Sequence, residues 1–221
     1  MLARIRIWLP DAPGALAGVA AEIGAVRGNV VGLEVLEREA GVAVDELVIE
    51  LPDDAGAIDA LCRGVRNVPG AGIEEVTELR GAGSSRPGDA PDREEGVLEA
   101  ATAILAGSTP EVALEALTAS LVALFGLSWL AVMEDAVGQF VRSYGDPPTA
   151  GWVVAFAAGA QSGSRPDYDT TGSGVFVEPV AGAGLTVCAG RPSAIRRRER
   201  HEISMLVTVT SRYMGALTGR A

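Results

Sequence analysis

The stretch that most constrains this chain is Leu9-Pro10-Asp11-Ala12-Pro13-Gly14-Ala15-Leu16, a proline-bracketed polar loop where the hydrophobic period changes. Before it, Ile5, Ile7 and Leu9 alternate as in a strand. After it, Leu16, Val19, Ala20, Ile23 and Val26 recur at helical spacing until Gly28. The chain must therefore turn from β to α within a few residues. Pro13 suits a first helical turn, Gly14 allows close approach to the backbone, and helix-start amides are unpaired donors at a positive dipole end. A carboxylate suits that place.

The following elements extend this start into a domain. Asn29 to Arg38 is expected to be a second strand, turned at Glu39-Ala40-Gly41 into a third from Val42 to Leu51. Asp53 and Asp54 then stand where a helix N-terminus favours negative charge, Ile58, Leu61, Cys62 and Val65 share a helical face, and Pro69-Gly70 precedes a strand from Ile73 to Leu79. The order βαββαβ over 1–79 is the ferredoxin-like arrangement, an antiparallel sheet with both helices on one face and the other face uncovered.

Asp11-Ala12-Pro13-Gly14-Ala15-Leu16 and Gly28-Asn29-Val30 resemble the D-x-P-G-x-L loop and G-x-N-I strand start of the ACT family of amino-acid-sensing modules. The resemblance implies a regulatory domain that dimerises and binds an amino acid or similar small molecule where the first loop meets a neighbouring subunit. It implies that Asp11 meets the ligand's ammonium, the Gly14 and Ala15 amides its carboxylate, and Asn29 or Val30 its remaining polar group, with Ala12, Pro13 and Leu16 shaping the loop. On the residues alone, Asp11 simply opens a turn and Asn29 tolerates a left-handed conformation after Gly28.

From 80 to 93 the chain is rich in Gly, Ser and Pro, the composition of a flexible linker. In 94–221, helices are expected at Val97 to Leu105 and Thr109 to Phe125, strands at Leu127 to Met133 and Trp152 to Ala158, a hairpin at Val175 to Val180 and Leu185 to Ala189, and a closing helix from about Ser193. An antiparallel sheet is expected. With Ala189-Gly190-Arg191-Pro192 before the closing helix, this order resembles a GAF domain, a family of small-ligand sensors in cytoplasmic signalling proteins. The chain has neither a bilin-attaching cysteine in the usual setting nor the Asn-Lys-Phe-Asp-Glu signature of that family's cyclic-nucleotide-binding members, and a stalk-like dimer contact through Gly96 to Phe125 and Ser193 to Leu217 is the alternative for this half.

Charge narrows the function. Against 29 acidic residues stand 18 basic ones, a net charge of -11 that repels nucleic-acid phosphates. All the basic residues are arginine; without lysine, Schiff-base chemistry and a Walker-type phosphate loop are excluded. Arg196-Arg197-Arg198-Glu199-Arg200-His201 is expected to be a solvated helix face. Cys62 and Cys188 have no metal or redox spacing and are expected to be buried thiols, in keeping with a reducing cytoplasm. Pro10, Asp11 and Pro13 interrupt any signal-peptide core, and the uncharged run Ala116 to Met133 is expected to be a helix and a buried strand, broken at Gly126, with no membrane span.

Asp167-Tyr168-Asp169-Thr170-Thr171 has the D-x-D-x-T spacing of aspartate-nucleophile phosphatases, but it follows a Gly/Ser/Pro stretch where those enzymes have a buried strand. It is expected to be a loop. His201, the sole histidine, lies among charges, and the pair Glu134-Asp135 marks a strand end. The sequence thus gives no catalytic residue, metal site or cofactor. It points to an α+β, non-enzymatic, cytoplasmic homodimer that senses a small molecule and acts on a separate effector protein. The alternatives are a structural dimerisation adaptor and a GAF-fold enzyme.

Overall fold

A computed structural model describes residues 1–79, 93–161 and 174–219. The linker expected at 80–93 lies outside them except for Arg93, which opens a helix, and so does the Asp167 to Thr171 motif. Among the described residues the protein is α+β, with six helices and two four-stranded antiparallel sheets. It divides into two compact units, Met1–Asp92 and Arg93–Ala221.

The first unit runs β1 (Leu2–Pro10), α1 (Ala15–Ala25), β2 (Asn29–Glu39), β3 (Val42–Glu50), α2 (Ala57–Asn67) and β4 (Gly72–Leu79), in the sheet order β2-β3-β1-β4. Alternation on the central strands sends Ala3, Ile5, Ile7 and Leu9 of β1, with Leu47 and Ile49 of β3, to one face. There they pack with Val19 and Ile23 of α1 and Leu61 and Val65 of α2. Both helices therefore cover the same face. The hairpin between β2 and β3 turns on two residues with positive φ, Ala40 at 50° and Gly41 at 81°, the backbone that matches strand twist in a two-residue loop.

No helix of this unit packs on the opposite face, as expected, and Trp8 and Val42 are exposed there, yet that face is not solvated throughout. Arg6, Val44, Glu46 and Val48, which share it, are all buried. Arg6 donates to Glu46 at 2.8 Å and stands 3.8 Å from Glu75, while Arg4 lies 3.6 Å from Glu46. Paired charges thus occupy that face in place of solvated ones.

The second unit runs α3 (Arg93–Leu105), α4 (Pro110–Phe125), β5 (Trp129–Glu134), β6 (Gln139–Gly145), α5 (Ala150–Gln161), β7 (Val175–Val180), β8 (Leu185–Gly190) and α6 (Arg197–Leu217), with sheet order β6-β5-β8-β7. One core joins Leu130, Val132, Val187 and Ala189 of the sheet to Ile104, Leu117, Leu121 and Leu206 of α3, α4 and α6. On the other face Met133 and Cys188 meet Val153 and Ala157 of α5. Thr109 caps α4 by accepting from the Val112 amide, with Pro110 at its first position, and Gly126 ends it in a left-handed conformation. The uncharged run therefore divides into a helix and a strand, and no helix among the described residues is long and apolar enough to cross a membrane.

The expectations for this unit are corrected at several places. Trp152 to Ala158, expected as a strand, lies within helix α5. Pro147 and Pro148 precede it, Thr149 accepts hydrogen bonds from the amides of Trp152 and Val153, and Trp152 stacks on Phe156 one turn on, with ring centroids 4.9 Å apart. Strand β6 was not expected at all: it is a half-polar edge strand with weak alternation.

The closing helix also begins later than expected, at Arg197, because Arg191 organises the segment before it. Its buried guanidinium donates to the carbonyls of Phe125, Ser193 and Ala194 and to the Glu199 carboxylate at 2.6 Å. Glu199, fully buried, also accepts from the Arg196 amide at 2.8 Å and lies 3.6 Å from Arg93. The arginine run is therefore not a uniform solvated face: Arg197 and His201 are exposed, while Arg198 bonds Glu202 and Glu94 and Arg200 bonds the carbonyls of Ile195 and Val175. Arg191→Leu should destabilise the protein by about 3–5 kcal/mol, since it leaves Glu199 with less compensation in the interior. Urea unfolding measures this, and a loss below about 1 kcal/mol would contradict the assigned role of the pair.

Candidate functional site

The loop after β1 is built from short-range bonds. The Asp11 amide donates to the Gly41 carbonyl at 2.8 Å, tying the loop to the β2–β3 turn, and the Ala12 amide donates to Pro10 at 2.8 Å. Gly14, at φ 86°, stands immediately before the helix, where an L side chain would be strained. Helix α1 therefore starts at Ala15, so Pro13 precedes the helix and does not occupy its first turn. The Ala15 amide is already engaged with the Ala12 carbonyl at 3.2 Å, which removes one of the two donors expected to meet a carboxylate. The amides of Gly14 and Leu16 have no hydrogen-bond partner among the described residues.

Asn29 and Val30 lie elsewhere. The register pairs Glu50 with both Leu2 and Asn29, whereas Pro10, which leads into the loop, pairs with Val42. The eight steps of β3 between Val42 and Glu50 place the two groups about 26 Å apart, at opposite ends of the sheet. The exposed Asn29 and Val30 are thus not brought to the Asp11 to Leu16 loop within one chain. At the far end from that loop, Met1, Asp53, Asp54, Ala55, Gly56, Ile58 and Asp59 line an open depression of about 470 Å³. Asp53 and Asp54 precede α2 instead of occupying its first turn, because Gly56, at φ 105°, is the residue before the helix.

At the loop end the structure assembles charges that the strand pattern did not reveal. Arg38, near the end of β2, stands 3.7 Å from Asp11. Asp45 of β3 is opposite Ile7 on one side and Val35 on the other, and directly opposed residues share a sheet face. It therefore lies on the helix-covered face. Only 6% exposed, its Oδ1 has no hydrogen-bond partner. Burial pushes the Asp45 carboxyl above the ordinary range, the neighbouring Arg38 opposes this, and Asp11 adds to it. The signal that would have found Asp45 is its phase: it falls in step with Leu47 and Ile49, where a core residue belongs.

In the second unit both faces of the sheet are filled by side chains. Around α5, Trp129 meets Trp152 edge to face with centroids 6.5 Å apart. Cys188 is fully buried and desolvation pushes its thiol up to about 12; burial likewise raises Cys62. Glu134 and Asp135 are exposed at the end of β5, where Asp135 accepts from Thr186 at 2.7 Å. No group of metal-ligating side chains occurs among the described residues.

No protein-family model matches the chain, and no curated protein matches it. Among solved structures it is similar to a formyltetrahydrofolate deformylase from Pseudomonas putida KT2440, at 19% identity and a TM-score of 0.29, over 36% of this chain and 29% of that one. The chain thus spans under a third of that protein's length. It is also similar to an unknown protein from Galdieria sulphuraria, at 16% identity and a TM-score of 0.29, over 97% of this chain and 93% of that one.

Two outcomes follow from these environments. Because the folded-state pKa of Asp45 is raised, the folded protein binds the proton more readily than the unfolded chain, and stability falls as pH rises from the ordinary aspartate value through the raised one. Asp45→Asn should therefore melt above the wild type at neutral pH, with the difference closing in acid; thermal melts across pH measure it, and a wild type more stable at neutral pH would contradict it. Cys188 should resist iodoacetamide in the native state and react on unfolding, as mass spectrometry would record.

Proposed function

We propose that the chain is a non-enzymatic regulatory protein: an ACT-type domain in 1–79 senses an amino acid or similar small molecule, and a GAF-like domain in 94–221 serves as a second sensor or a dimerisation element. The observation that carries this reading is the polar loop Asp11 to Gly14, placed at the end of the sheet beside Arg38 and Asp45. The element order βαββαβ, the sheet order β2-β3-β1-β4 and the two helices on one face support it, since they match the ferredoxin-like arrangement. On this reading the protein is a cytoplasmic homodimer that acts on a separate effector, and it assigns no catalytic residue.

The separation of the loop from Asn29 bears on the dimer. A free amino acid is far shorter than about 26 Å, so any site using both Asp11 and Asn29 takes them from two copies. A dimer that sets the loop of one copy against the β2 start of the other completes two such sites at once. The second reading, a dimerisation adaptor with neither site occupied, is favoured by the bonds that Asp11 and Ala15 already make within the loop region.

Thermal melting against amino acids and nucleotides separates the two. A ligand held at about a hundred times its Kd adds about 2.7 kcal/mol to the native state. At least one amino acid should raise the Tm by several degrees. No shift with any compound would replace the sensor by the adaptor.

A further inference from the structure

We infer that the outer face of α5 is a docking surface for a basic amphipathic helix of a partner protein. The inference rests on the separate effector in the reading above and gives that effector a chemistry. Helix α5, Ala150–Gln161, carries no charged residue in a chain whose net charge is -11. Its inner side is occupied, with Val153 and Ala157 buried against Met133 and Cys188. A helix that is apolar all round is normally covered on every side. Here Gly151, Trp152, Val154, Ala155 and Ala158 are exposed.

The exposed side has a shape. At 3.6 residues per turn, Gly151, Ala155 and Ala158 run along its middle, with Val154 on one flank and Trp152 on the other. Small residues thus floor a shallow channel that has larger side chains as its walls. Both walls are held in place. Trp152 stacks on Phe156 with ring centroids 4.9 Å apart and meets Trp129 edge to face at 6.5 Å. Val154 backs onto the β5–β6 turn, where a Cβ added at Gly138 would lie 3.2 Å from its Cγ2, and the exposed Val137 of that turn extends the apolar area. A floor of small residues lets a second helix approach closely, and a fixed, half-exposed tryptophan is the kind of side chain that anchors an interface.

Charge selects the occupant. The segments that border this face carry exposed acids: Asp146 before α5, and Glu134 and Asp135 at the β5–β6 turn. Arg142, on the adjoining strand β6, is turned instead to Glu115 of α4, 3.6 Å away on the other side of the sheet. A second copy of this chain would bring the same acids to the contact, and like charges set against each other cost affinity. Lysine or arginine flanking the apolar stripe of a partner helix would meet them with opposite charge.

The test uses the full chain and two synthetic peptides of helical period. One carries leucine on one face and lysine on the other; its analogue has glutamate for each lysine. The lysine peptide should gain helical circular dichroism on binding and bind about tenfold or more tightly than the glutamate peptide, with the difference shrinking as salt rises. Ala155→Gln sets a long neutral side chain on the channel floor and Trp152→Gln removes a wall, both without changing the net charge. Each should weaken binding on the order of tenfold or more by calorimetry. Ala155 is exposed and glutamine is a good helix former, so that variant keeps the fold even where Trp152→Gln loses it. No binding of the lysine peptide overturns the inference, and so does equal binding by Ala155→Gln, which is general attraction to an acidic protein. Sedimentation in which the wild type pairs and Ala155→Gln does not would make a second copy the occupant, and binding to phosphatidylcholine vesicles that Ala155→Gln abolishes would make it a lipid surface; either result also overturns it. The Tm shift with amino acids is read without the peptides, so its failure removes the sensor and leaves this surface standing.

Discussion

Nine consecutive residue pairs join β1 to β3, from Leu2 with Glu50 to Pro10 with Val42, and the first unit depends on them. Because side chains alternate across a sheet, this one register decides which residues go under the helices and which go to the other face. It buries Ile5 and Ile7 against α1 and α2, and it sets Arg6 beside Glu46. It also sends Asp45 under the helices, where alternation would otherwise place an apolar residue. A slip of one residue would expose the core and release Asp45, so the buried carboxylate and the core are specified by the same hydrogen bonds.

The second unit solves a different problem. Its sheet is packed on both faces, so the chain leaving β8 must start α6 at the correct depth. Arg191 does this by binding three carbonyls and Glu199 together. A buried ion pair of this kind gains little net stability over an apolar alternative, but it has strict geometry. It therefore specifies where the helix begins more than how tightly the unit is held.

The sequence made the first unit largely legible because each element there carries one clear period and a strong stop: Gly28 after α1, Gly41 between β2 and β3, Pro69-Gly70 after α2. In the second unit the signals were weaker. Trp152 to Ala158 is apolar without a period, and such a run suits a strand or a helix equally; Thr149 and the prolines before it were the deciding clues. β6 is half polar because it is an edge strand. The loop was found from its glycine and prolines, but Arg38 and Asp45 were not, since a site formed by strand register joins residues that sequence distance keeps apart. Asn29 shows the converse: nearness in a motif did not bring it to the loop, because α1 and the sheet carry it to the other end.

Asp45 bears on the choice between a sensor and an adaptor. In a protein that only dimerises, a buried carboxylate with an unpaired oxygen is a standing cost that an apolar residue would avoid. In a sensor the same cost has a use. It is relieved only when a donor arrives, so it widens the free-energy difference between empty and occupied states, and that difference is all a ligand has with which to shift a conformational equilibrium. Asp45 lies close enough to Arg38 and Asp11, at the end of the sheet where the loop lies, for their charges to act on it, and this supports the proposed sensor over the adaptor.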